Sequence, residues 1–179
     1  LVPTVASLES ARRLAAMMRR MGRGISCHLK VETGMGRIGM SPGAILGALE
    51  FLSSCPEVAV GGIYTHFACA ETNRQFTLLQ LDRFKAVLAE AAARGWKTGL
   101  RHAANSAGAL GHPSTRLDMV RPGLAAYGLM DGFEPVLTLK TKIVFIKTVR
   151  PGTPIGYGAA FRTKRRTRVA TVPIGYADG

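Results

Sequence analysis

The stretch ISCHLKVETGMGRIGMSPGAILGALEFLSS (25–54) contains one complete strand–turn–helix unit. Residues 25–31 are predicted to form a strand with one polar face, and a glycine-rich turn follows them. Ser41 and Pro42 then open a helix that we expect to run to about Ser53, since proline is favoured in the first turn of a helix. A strand joined to a helix by a short loop is the repeating unit of parallel α/β folds.

The same alternation continues on both sides of this unit. Apolar residues at helical spacing predict a helix over 8–21, with Ser7 as its N-cap and Gly22 just beyond its end. Downstream, the sequence predicts in turn a buried strand over 58–66, a helix over 73–94, a strand over 99–103, a short helix from Ser106 and a strand over 118–121. The expected apolar face of the long helix comprises Phe76, Leu79, Phe84, Val87, Leu88 and Ala91. This order indicates an α/β fold with a parallel sheet or barrel.

The sequence changes in character after about Met130. Residues 136–149 and 168–174 are rich in β-branched side chains and leave no room for helices, and turns are predicted at Pro151-Gly152 and over 164–166. We therefore expect two domains with a boundary near Asp131-Gly132. Residues 1–131 form the α/β part, and residues 132–179 form a mostly β part.

Composition sets the broad class of protein. The chain has 179 residues, of which 47% are apolar and 20% charged, so it is typical of a globular protein with one domain and part of a second. No apolar stretch approaches the roughly 18 residues of a membrane span, and no signal peptide is predicted. Three cysteines without paired spacing favour a reducing compartment. Because the chain starts at Leu1 and stops within PIGYADG, we expect an interior fragment of a longer protein.

Five short segments combine glycines and polar side chains at predicted element ends. They are KVETGMGRIG (30–39) with Lys30 and Arg37, IYTHFA (63–68) with His66, RHAANSAG (101–108) with Ser106, VRPGLAAYG (120–128) with Gly123 and Leu124, and IGYGAAF (155–161) with Tyr157. Functional groups of βα barrels lie where strands end, and bare backbone N–H groups can bind a phosphate. Taken singly, each segment has an ordinary structural explanation: a solvated arginine, a hydrogen-bonded histidine, a plain helix cap at Ser106, or a hairpin aromatic.

Taken together and in this order, the segments are specific. HLKVETGMGRIG, IYTHFA, HAANS, VRPGLAAYG, PIGYGAAF and TVPIGYADG each resemble a block of alanine racemase, the pyridoxal 5′-phosphate enzyme of fold type III. The resemblance implies part of a (β/α)8 TIM-type barrel followed by the start of a mostly β C-terminal domain. It also implies a cytoplasmic homodimer with shared active sites that interconverts L-alanine and D-alanine and so supplies D-alanine for peptidoglycan.

The resemblance assigns catalytic or substrate-binding roles to four residues and a possible modification to a fifth. Tyr157 matches the tyrosine base that comes from the partner subunit, and His66 matches the residue that hydrogen-bonds this tyrosine. Arg37 matches the arginine that contacts the phenolic oxygen of the cofactor and the carboxylate of the substrate. Tyr176 matches a tyrosine that lines the substrate entrance, and Lys30 matches a lysine that is carbamylated in some members.

Five more residues match the family's cofactor-binding positions. Arg121 matches the arginine that contacts the pyridine nitrogen, and His102 matches the residue that braces it. Ser106 with the backbone of Gly123 and Leu124 matches the phosphate-binding group. A guanidinium at the pyridine nitrogen cannot leave a proton there, because it is effectively always protonated.

Two departures from the family pattern bear on activity. The family's Schiff-base lysine lies on the first barrel strand, in a block that would precede Leu1, and no lysine of this chain stands in that motif. We therefore expect the isolated fragment to be inactive. Glu32 stands where the family usually has aspartate, which keeps the charge and adds one methylene.

Three other interpretations are compatible with parts of the sequence. A broader-specificity amino-acid racemase of the same fold would contain the same blocks. The net charge of +13 and the run RTKRRTR (162–168) fit a nucleic-acid-binding module, but no recognition helix or stacking aromatics accompany the run, so we expect a charged hairpin tip and no nucleic-acid or membrane partner. Metal binding through His28, His66, His102 or Cys69 has weak support, because His66-x-x-Cys69 is one pair without a second, and no metal is expected.

Overall fold

The computed structural model describes residues 1–178 and divides the chain into two compact units, Leu1–Val136 and Leu137–Gly179. This division lies a few residues beyond the boundary that the sequence predicts. Each unit contains its own sheets. None of the described helices is long and apolar enough to cross a membrane.

The first unit is built on a four-stranded parallel sheet whose spatial order follows the chain. The strands are β1 (Thr4–Val5), β2 (Ile25–Lys30), β3 (Val58–Tyr64) and β4 (Leu100–His102). The helices are α1 (Leu8–Met21), α2 (Pro42–Ser53), α3 (Arg74–Ala93) and α4 (Ser106–Gly111), and the first three connect successive strands. Sequential parallel strands joined by helices are the arrangement of a βα barrel, as the sequence predicts.

Side-chain caps define where α1 and α2 begin. Ser7 forms a capping box with Ser10 at the start of α1, and the helix ends at Gly22, which adopts a left-handed φ of 61°. The Ser41 hydroxyl accepts a hydrogen bond from the N–H of Ala44 at 3.3 Å, with Pro42 as the first helical residue. These caps satisfy N–H groups that have no partner within the helix, which explains why the predicted starts of α1 and α2 are correct.

A single hydrophobic core lies between the sheet and the helices. Its largest fully buried apolar side chains are Phe67, Phe84, Leu29, Ile45, Leu49, Ile63, Leu81 and Val31. Full burial of one such side chain contributes about 1.5–3 kcal/mol to the free energy of folding, so this core is a main source of stability for the first unit.

The helix α3 differs from its predicted apolar face. Leu79 is 44% exposed, so its assignment to the core is wrong, whereas Thr77 and Gln80 are fully buried beside Leu81. Successive residues turn by about 100° around a helix, and the buried stripe lies on the side of Gln80 and Phe84 rather than Leu79. Apolar residues alone therefore do not mark the inner face of this helix, because two of its buried residues are polar.

Two predicted strand limits in the first unit are wrong. The strand over 58–66 stops at Tyr64, so His66 lies in the following loop. The strand over 118–121 is reduced to one bridge between His102 and Met119. On either side of this bridge, the N–H of Asp118 donates to the carbonyl oxygen of Arg101 at 3.0 Å, and the N–H of Arg121 donates to that of Ala104 at 2.9 Å. The Asp118 carboxylate also pairs with the guanidinium of Arg101 at 2.7 Å.

The second unit contains two small antiparallel sheets. One pairs β5 (Phe145–Val149) with β8 (Thr167–Thr171), and the other pairs β6 (Pro154–Ile155) with β7 (Phe161–Arg162). Residues 136–144 of the predicted first β segment have no strand, and the second predicted segment begins and ends earlier, at Thr167–Thr171. Isolated segments cannot form strands without a partner, however high their β propensity.

The basic run 162–168 connects β7 with β8, which belong to different sheets. The expectation of a hairpin tip is therefore wrong. The arginines and lysines of this connection are exposed.

Candidate active site

The ends of three neighbouring strands bring together most of the residues singled out from the sequence. Lys30 is the last residue of β2, His66 follows β3 by two residues, and His102 is the last residue of β4. The bridge between His102 and Met119 places the segment that carries Arg121 beside β4. Because parallel strands end at the same edge of a sheet, these side chains share that edge.

Arg121 is anchored by three hydrogen bonds. Its Nη1 donates to Nδ1 of His102 at 2.5 Å, and its Nη2 donates to the carbonyl oxygens of Thr65 at 2.7 Å and Ala103 at 3.2 Å. On the other side of the imidazole, Nε2 of His102 lies 3.0 Å from Nδ1 of His28. Burial and the charge of Arg121 lower the pKa of His102 to about 4, so this imidazole is neutral at neutral pH.

Tyr64, which no sequence motif singled out, packs against this cluster. Its ring stacks on His102 with the centroids 4.8 Å apart, and its hydroxyl lies 2.9 Å from Oγ1 of Thr4. The guanidinium carbon of Arg121 lies 5.0 Å, and Nζ of Lys30 5.5 Å, from the centroid of the same ring. Both distances are within the range of cation–π attraction, so Tyr64 helps to hold two cations at the strand ends. The signal in the sequence was an aromatic residue two positions before the predicted end of a strand.

His66 is influenced by three neighbouring cations. Burial lowers its pKa, the charges of Arg121, Arg37 and Lys30 lower it further, and Glu71 opposes them. The His66 ring is therefore neutral at neutral pH and makes no hydrogen bond to a side chain or backbone group of residues 1–178. The exposed Arg37 side chain likewise forms no ion pair within this part of the chain.

Lys30 is a buried amine. Lys30 is only 2% exposed, and its Nζ donates a hydrogen bond to the carbonyl oxygen of Val31 at 3.1 Å. Burial lowers the pKa of Lys30 to about 8, with Arg121 and Arg37 acting in the same direction and Glu32 against it. A lowered pKa increases the neutral, nucleophilic form of the amine, which is the form that carbamylation requires. The modification itself stays a prediction.

Glu32 holds the turn that carries Arg37. Its Oε1 accepts hydrogen bonds from the N–H groups of Gly34 at 2.5 Å and Met35 at 2.6 Å, while Oε2 is buried without a partner among the described residues. Burial acts to raise the pKa of Glu32, but the backbone N–H groups of Gly36, Gly34 and Met35 outweigh it, and the pKa is lowered. The charged carboxylate therefore stabilises the turn by accepting hydrogen bonds from its backbone N–H groups.

The segment after Arg121 contributes free hydrogen-bond donors. The buried Ser106 hydroxyl accepts from the N–H of Ala125 at 3.1 Å, so its own proton is free to be donated. The N–H groups of Gly123 and Leu124 donate no hydrogen bond to any group within residues 1–178, and both residues are exposed. A hydroxyl and two adjacent N–H groups form a donor set that fits a phosphate.

Asn105, not Ser106, is the N-cap of α4. Its Oδ1 accepts a hydrogen bond from the N–H of Gly108 at 2.9 Å. The plain-cap interpretation of Ser106 is therefore wrong, and its hydroxyl is free for another partner.

The two tyrosines lie in the second unit. Tyr157 is 95% exposed in the short turn between β6 and β7, directly after Gly156, whose φ is 73°. Tyr176 is also fully exposed, near the end of the described chain. Exposure leaves both hydroxyls accessible to a ligand or to a second subunit.

Cysteines and metal-binding side chains form no centre in the described structure. Cys27, Cys55 and Cys69 are free thiols. Within residues 1–178, no three His, Cys, Asp or Glu side chains converge as metal ligands would. The weak His66-x-x-Cys69 pair therefore gains no third ligand there.

Comparison with known families matches both units. The model of the alanine racemase N-terminal domain matches residues 1–131, and that of the alanine racemase C-terminal domain matches residues 136–179. Among curated proteins, the chain is 45% identical over 170 residues to the alanine racemase of Symbiobacterium thermophilum. The matched region covers 90% of this chain and 45% of that protein. It is 40% identical over 184 residues to the alanine racemase of Chlorobaculum tepidum, in a match that covers 98% of this chain and 48% of that protein. The chain thus spans about half the length of the curated relatives it matches.

Solved structures show the same relationship. The alanine racemase of Clostridium difficile 630 superposes with a TM-score of 0.83 at 33% identity, covering 99% of this chain and 49% of that one. The alanine racemase of Bacillus anthracis with bound L-Ala-P superposes with a TM-score of 0.82 at 33% identity, covering 98% and 48% of the two chains. Folds this similar over nearly the whole chain support the barrel interpretation of the first unit and the β interpretation of the second.

Proposed function

The chain belongs to the alanine racemase family, and we propose that it forms the cofactor-facing part of an enzyme that interconverts L-alanine and D-alanine. One arrangement carries the proposal: Arg121 is held rigidly by His102 and Thr65, and the free donors of Ser106, Gly123 and Leu124 lie in and beside the same segment. A permanent cation next to a phosphate-binding donor set fits a phosphorylated aromatic cofactor better than it fits a metal or a nucleic acid.

The residues present fit pyridoxal 5′-phosphate, the cofactor of the family. Ser106, Gly123 and Leu124 would hold its phosphate. Arg121 makes three hydrogen bonds through Nη1 and Nη2, so two of its five N–H donors, on Nε and Nη1, remain for the pyridine nitrogen. When bound, the cofactor supplies an electron sink for the α-carbon of the amino acid.

Arg121 would hold the pyridine nitrogen as a hydrogen-bond donor and would keep its own proton. Guanidinium is effectively always protonated, and its three anchoring bonds keep the group in place. The proposed consequence is a weaker electron sink than a carboxylate partner would create, which favours rapid reprotonation of the α-carbon over side reactions.

The exchange of the α-proton needs a base on each face of the amino acid. We assign one to the hydroxyl of Tyr157 of the partner subunit, with neutral His66 as its hydrogen-bond partner, and the other to the lysine that binds the cofactor in the family. Arg37 would hold the substrate carboxylate, and Tyr176 would narrow the entrance to small side chains. The proposed enzyme is a cytoplasmic homodimer that supplies D-alanine for cell-wall synthesis.

The test uses the complete gene product supplied with pyridoxal phosphate. L-Alanine and a panel of other L-amino acids are incubated with it, and the D-enantiomers are quantified. We expect D-alanine to form fastest, and faster turnover of another amino acid would favour the broader-specificity racemase. Ser106→Ala should weaken cofactor binding about tenfold through the loss of one donor, whereas Ser54→Ala, at the exposed end of α2, should not. Tight cofactor binding without any D-alanine would contradict the proposal.

A further inference from the structure

The fully buried Gln80 is a polar residue on the core face of α3 that the proposed reaction does not use. Its Oε1 accepts a hydrogen bond from the N–H of Ala68 at 3.0 Å. Its Nε2 donates to the carbonyl oxygen of His66 at 3.1 Å and to Oγ1 of Thr33 at 3.2 Å. One acceptor and both donors of the amide are therefore satisfied, as burial of such a group requires.

The partners of Gln80 determine the orientation of its amide. The Ala68 N–H can only donate, so the atom that faces it is the oxygen, and the His66 carbonyl can only accept, so the atom that faces it is the nitrogen. Neither a carboxylate nor an apolar side chain satisfies both groups at once. This position therefore requires an amide for a specific reason.

Gln80 joins two loops to one helix. Thr33 belongs to the loop between β2 and α2, and His66 and Ala68 belong to the loop between β3 and α3. Thr33 is held a second time by Arg83, whose Nη1 donates to its carbonyl oxygen at 2.9 Å.

Close packing supports the same junction. A Cβ on Gly34, which has a φ of 142°, would lie 2.8 Å from the Phe76 ring and 3.3 Å from Cγ of Gln80. The loop therefore rests directly on α3 at a position that only glycine tolerates.

A second branch of hydrogen bonds leads from Gln80 towards Arg121. The hydroxyl oxygens of Thr33 and Thr65, both buried, lie 2.6 Å apart. The carbonyl oxygen of Thr65 accepts the hydrogen bond from Nη2 of Arg121. Gln80 is thus linked through two hydroxyl groups to the backbone that anchors the arginine.

We propose that Gln80 is a positioning residue that locks the loop of Arg37 and the loop of His66 to α3. The inference rests on the proposed function, because these loops matter for the reaction only if Arg37 and His66 act in it. Gln80 itself touches neither side chain. It acts on the backbone of His66 and, through Thr33, on the turn that leads to Arg37.

The structural test compares amide hydrogen exchange in the full chain and in Gln80→Leu, Gln80→Glu and the control Val87→Ala. Val87 is buried on the same helix two turns further on, so its truncation destabilises the core without touching either loop. The reporters are the N–H groups of Ala68, which donates to Gln80, and of Gly34 and Met35, which donate to Glu32 instead.

In Gln80→Leu we expect all three reporters to exchange about ten- to a hundredfold faster than in the unsubstituted chain, beyond any change shared by the other core amides. The reason is that a buried donor loses its acceptor and the turn is released. In Val87→Ala their rates should change only with those of the whole core. Faster exchange at Ala68 with unchanged Gly34 and Met35 would overturn the proposal, because Gln80 would then be a local partner and not a link between loops.

Gln80→Glu separates a positioning role from simple filling of space. A protonated carboxyl can donate to the His66 carbonyl, but an ionised one cannot. Because full burial at this position raises the pKa of a carboxyl above its usual value of about 4.3, protection of Gly34 and Met35 relative to the unsubstituted chain should be retained at pH 5 and lost towards pH 9. A ratio that is constant over this range contradicts the proposal.

Racemisation by the complete gene product should follow the same pH pattern in Gln80→Glu. Relative to the unsubstituted enzyme, kcat should be retained at low pH, where the reporter amides are protected, and reduced at high pH, where their protection is lost. If the reporters behave as expected and the unsubstituted enzyme racemises no amino acid, the lock stands and the proposed function fails. If the enzyme is active and Gln80→Leu leaves kcat and the reporters unchanged, the lock fails and the proposed function stands.

Discussion

The guanidinium of Arg121 donates to Nδ1 of His102 at 2.5 Å, and this contact determines where the protons of two imidazoles lie. Because arginine can only donate, Nδ1 of His102 must accept, and the proton of the neutral ring must be on Nε2. That proton points to Nδ1 of His28 at 3.0 Å, so His28 in turn carries its proton on Nε2. A single arginine thus orders a chain of two tautomers.

His102 should therefore stay neutral well below the usual range of histidine. Its pKa is about 4, below the 6.5 of an ordinary histidine, so between these values the unfolded chain binds more protons than the folded chain. Stability must fall as the pH falls from about 6.5 to 4, by on the order of 2–3 kcal/mol from this residue. Chemical denaturation at a series of pH values checks this. In His102→Asn the slope of the free energy of unfolding against pH should become shallower.

¹⁵N NMR of the histidine rings should show the Nε2–H tautomer of His102 at pH 7, and an Nδ1–H tautomer would refute the assignment.

The repeating βα pattern was enough to predict the parallel sheet, the three long helices and most of the edge where the site lies. Caps such as Ser7 and Ser41 are local signals, so the starts of α1 and α2 could be read from neighbouring residues. Gln80 could not be found in this way, because its partners are brought to it only by the fold. The short extent of the strand predicted over 118–121 could not be read from the sequence either, because it depends on how the fold pairs this segment with β4, which is limited to one bridge between His102 and Met119.

Lys30 should react with carbon dioxide at neutral pH. With a pKa of about 8 instead of the ordinary 10.5, its amine has roughly three hundredfold more of the neutral form at pH 7. The amine nitrogen bonds to the carbon of CO₂ and releases one proton, and the resulting anion lies near Arg121 and Arg37. ¹³C NMR in labelled bicarbonate should show a carbamate signal.

The signal should disappear in Lys30→Arg and persist in Lys85→Arg, which changes an exposed lysine on α3. A carbamate signal that survives Lys30→Arg would place the modification elsewhere.

Glu32 should stabilise the turn through its two short hydrogen bonds. Glu32→Ala leaves two N–H groups without an acceptor and should lower the free energy of unfolding by about 1–3 kcal/mol. Glu32→Gln keeps an acceptor oxygen and should cost less. Because the pKa of Glu32 is lowered in the folded chain, the contribution is present above the usual carboxyl pKa and is lost as the pH falls.

The matched control is Glu9→Ala, which removes an exposed i,i+4 pair with Arg13 and should change stability by less than about 0.5 kcal/mol. Equal losses for Glu32→Ala and Glu9→Ala in urea denaturation would show that the turn gains nothing from the Glu32 carboxylate.

Arg121→Glu should alter both the neighbouring imidazole and the bound cofactor. Without the positive charge, the pKa of His102 should rise, because Arg121 contributes to keeping it low, and NMR titration measures this in the chain itself. In the complete gene product, a carboxylate can stabilise a protonated pyridine nitrogen, so addition of alanine should produce a new long-wavelength absorption band while racemisation slows. An unchanged spectrum together with a raised His102 pKa would mean that Arg121 braces the imidazole but does not contact the pyridine nitrogen.

Tyr157 should serve proton transfer in one direction only. Two bases on opposite faces of the α-carbon are each tied to one enantiomer, and the family's lysine serves D-alanine. In the complete gene product, Tyr157→Phe removes only the hydroxyl of an exposed residue, so folding should be preserved. Exchange of the α-proton of L-alanine with solvent deuterium should fall about 10²–10⁴-fold, as for loss of a general base, while exchange from D-alanine persists. Tyr176→Phe is the control, because the other exposed tyrosine should affect KM more than the direction of exchange. Equal losses for both enantiomers in Tyr157→Phe would indicate a positioning role, and no loss would identify Tyr157 as an ordinary hairpin aromatic.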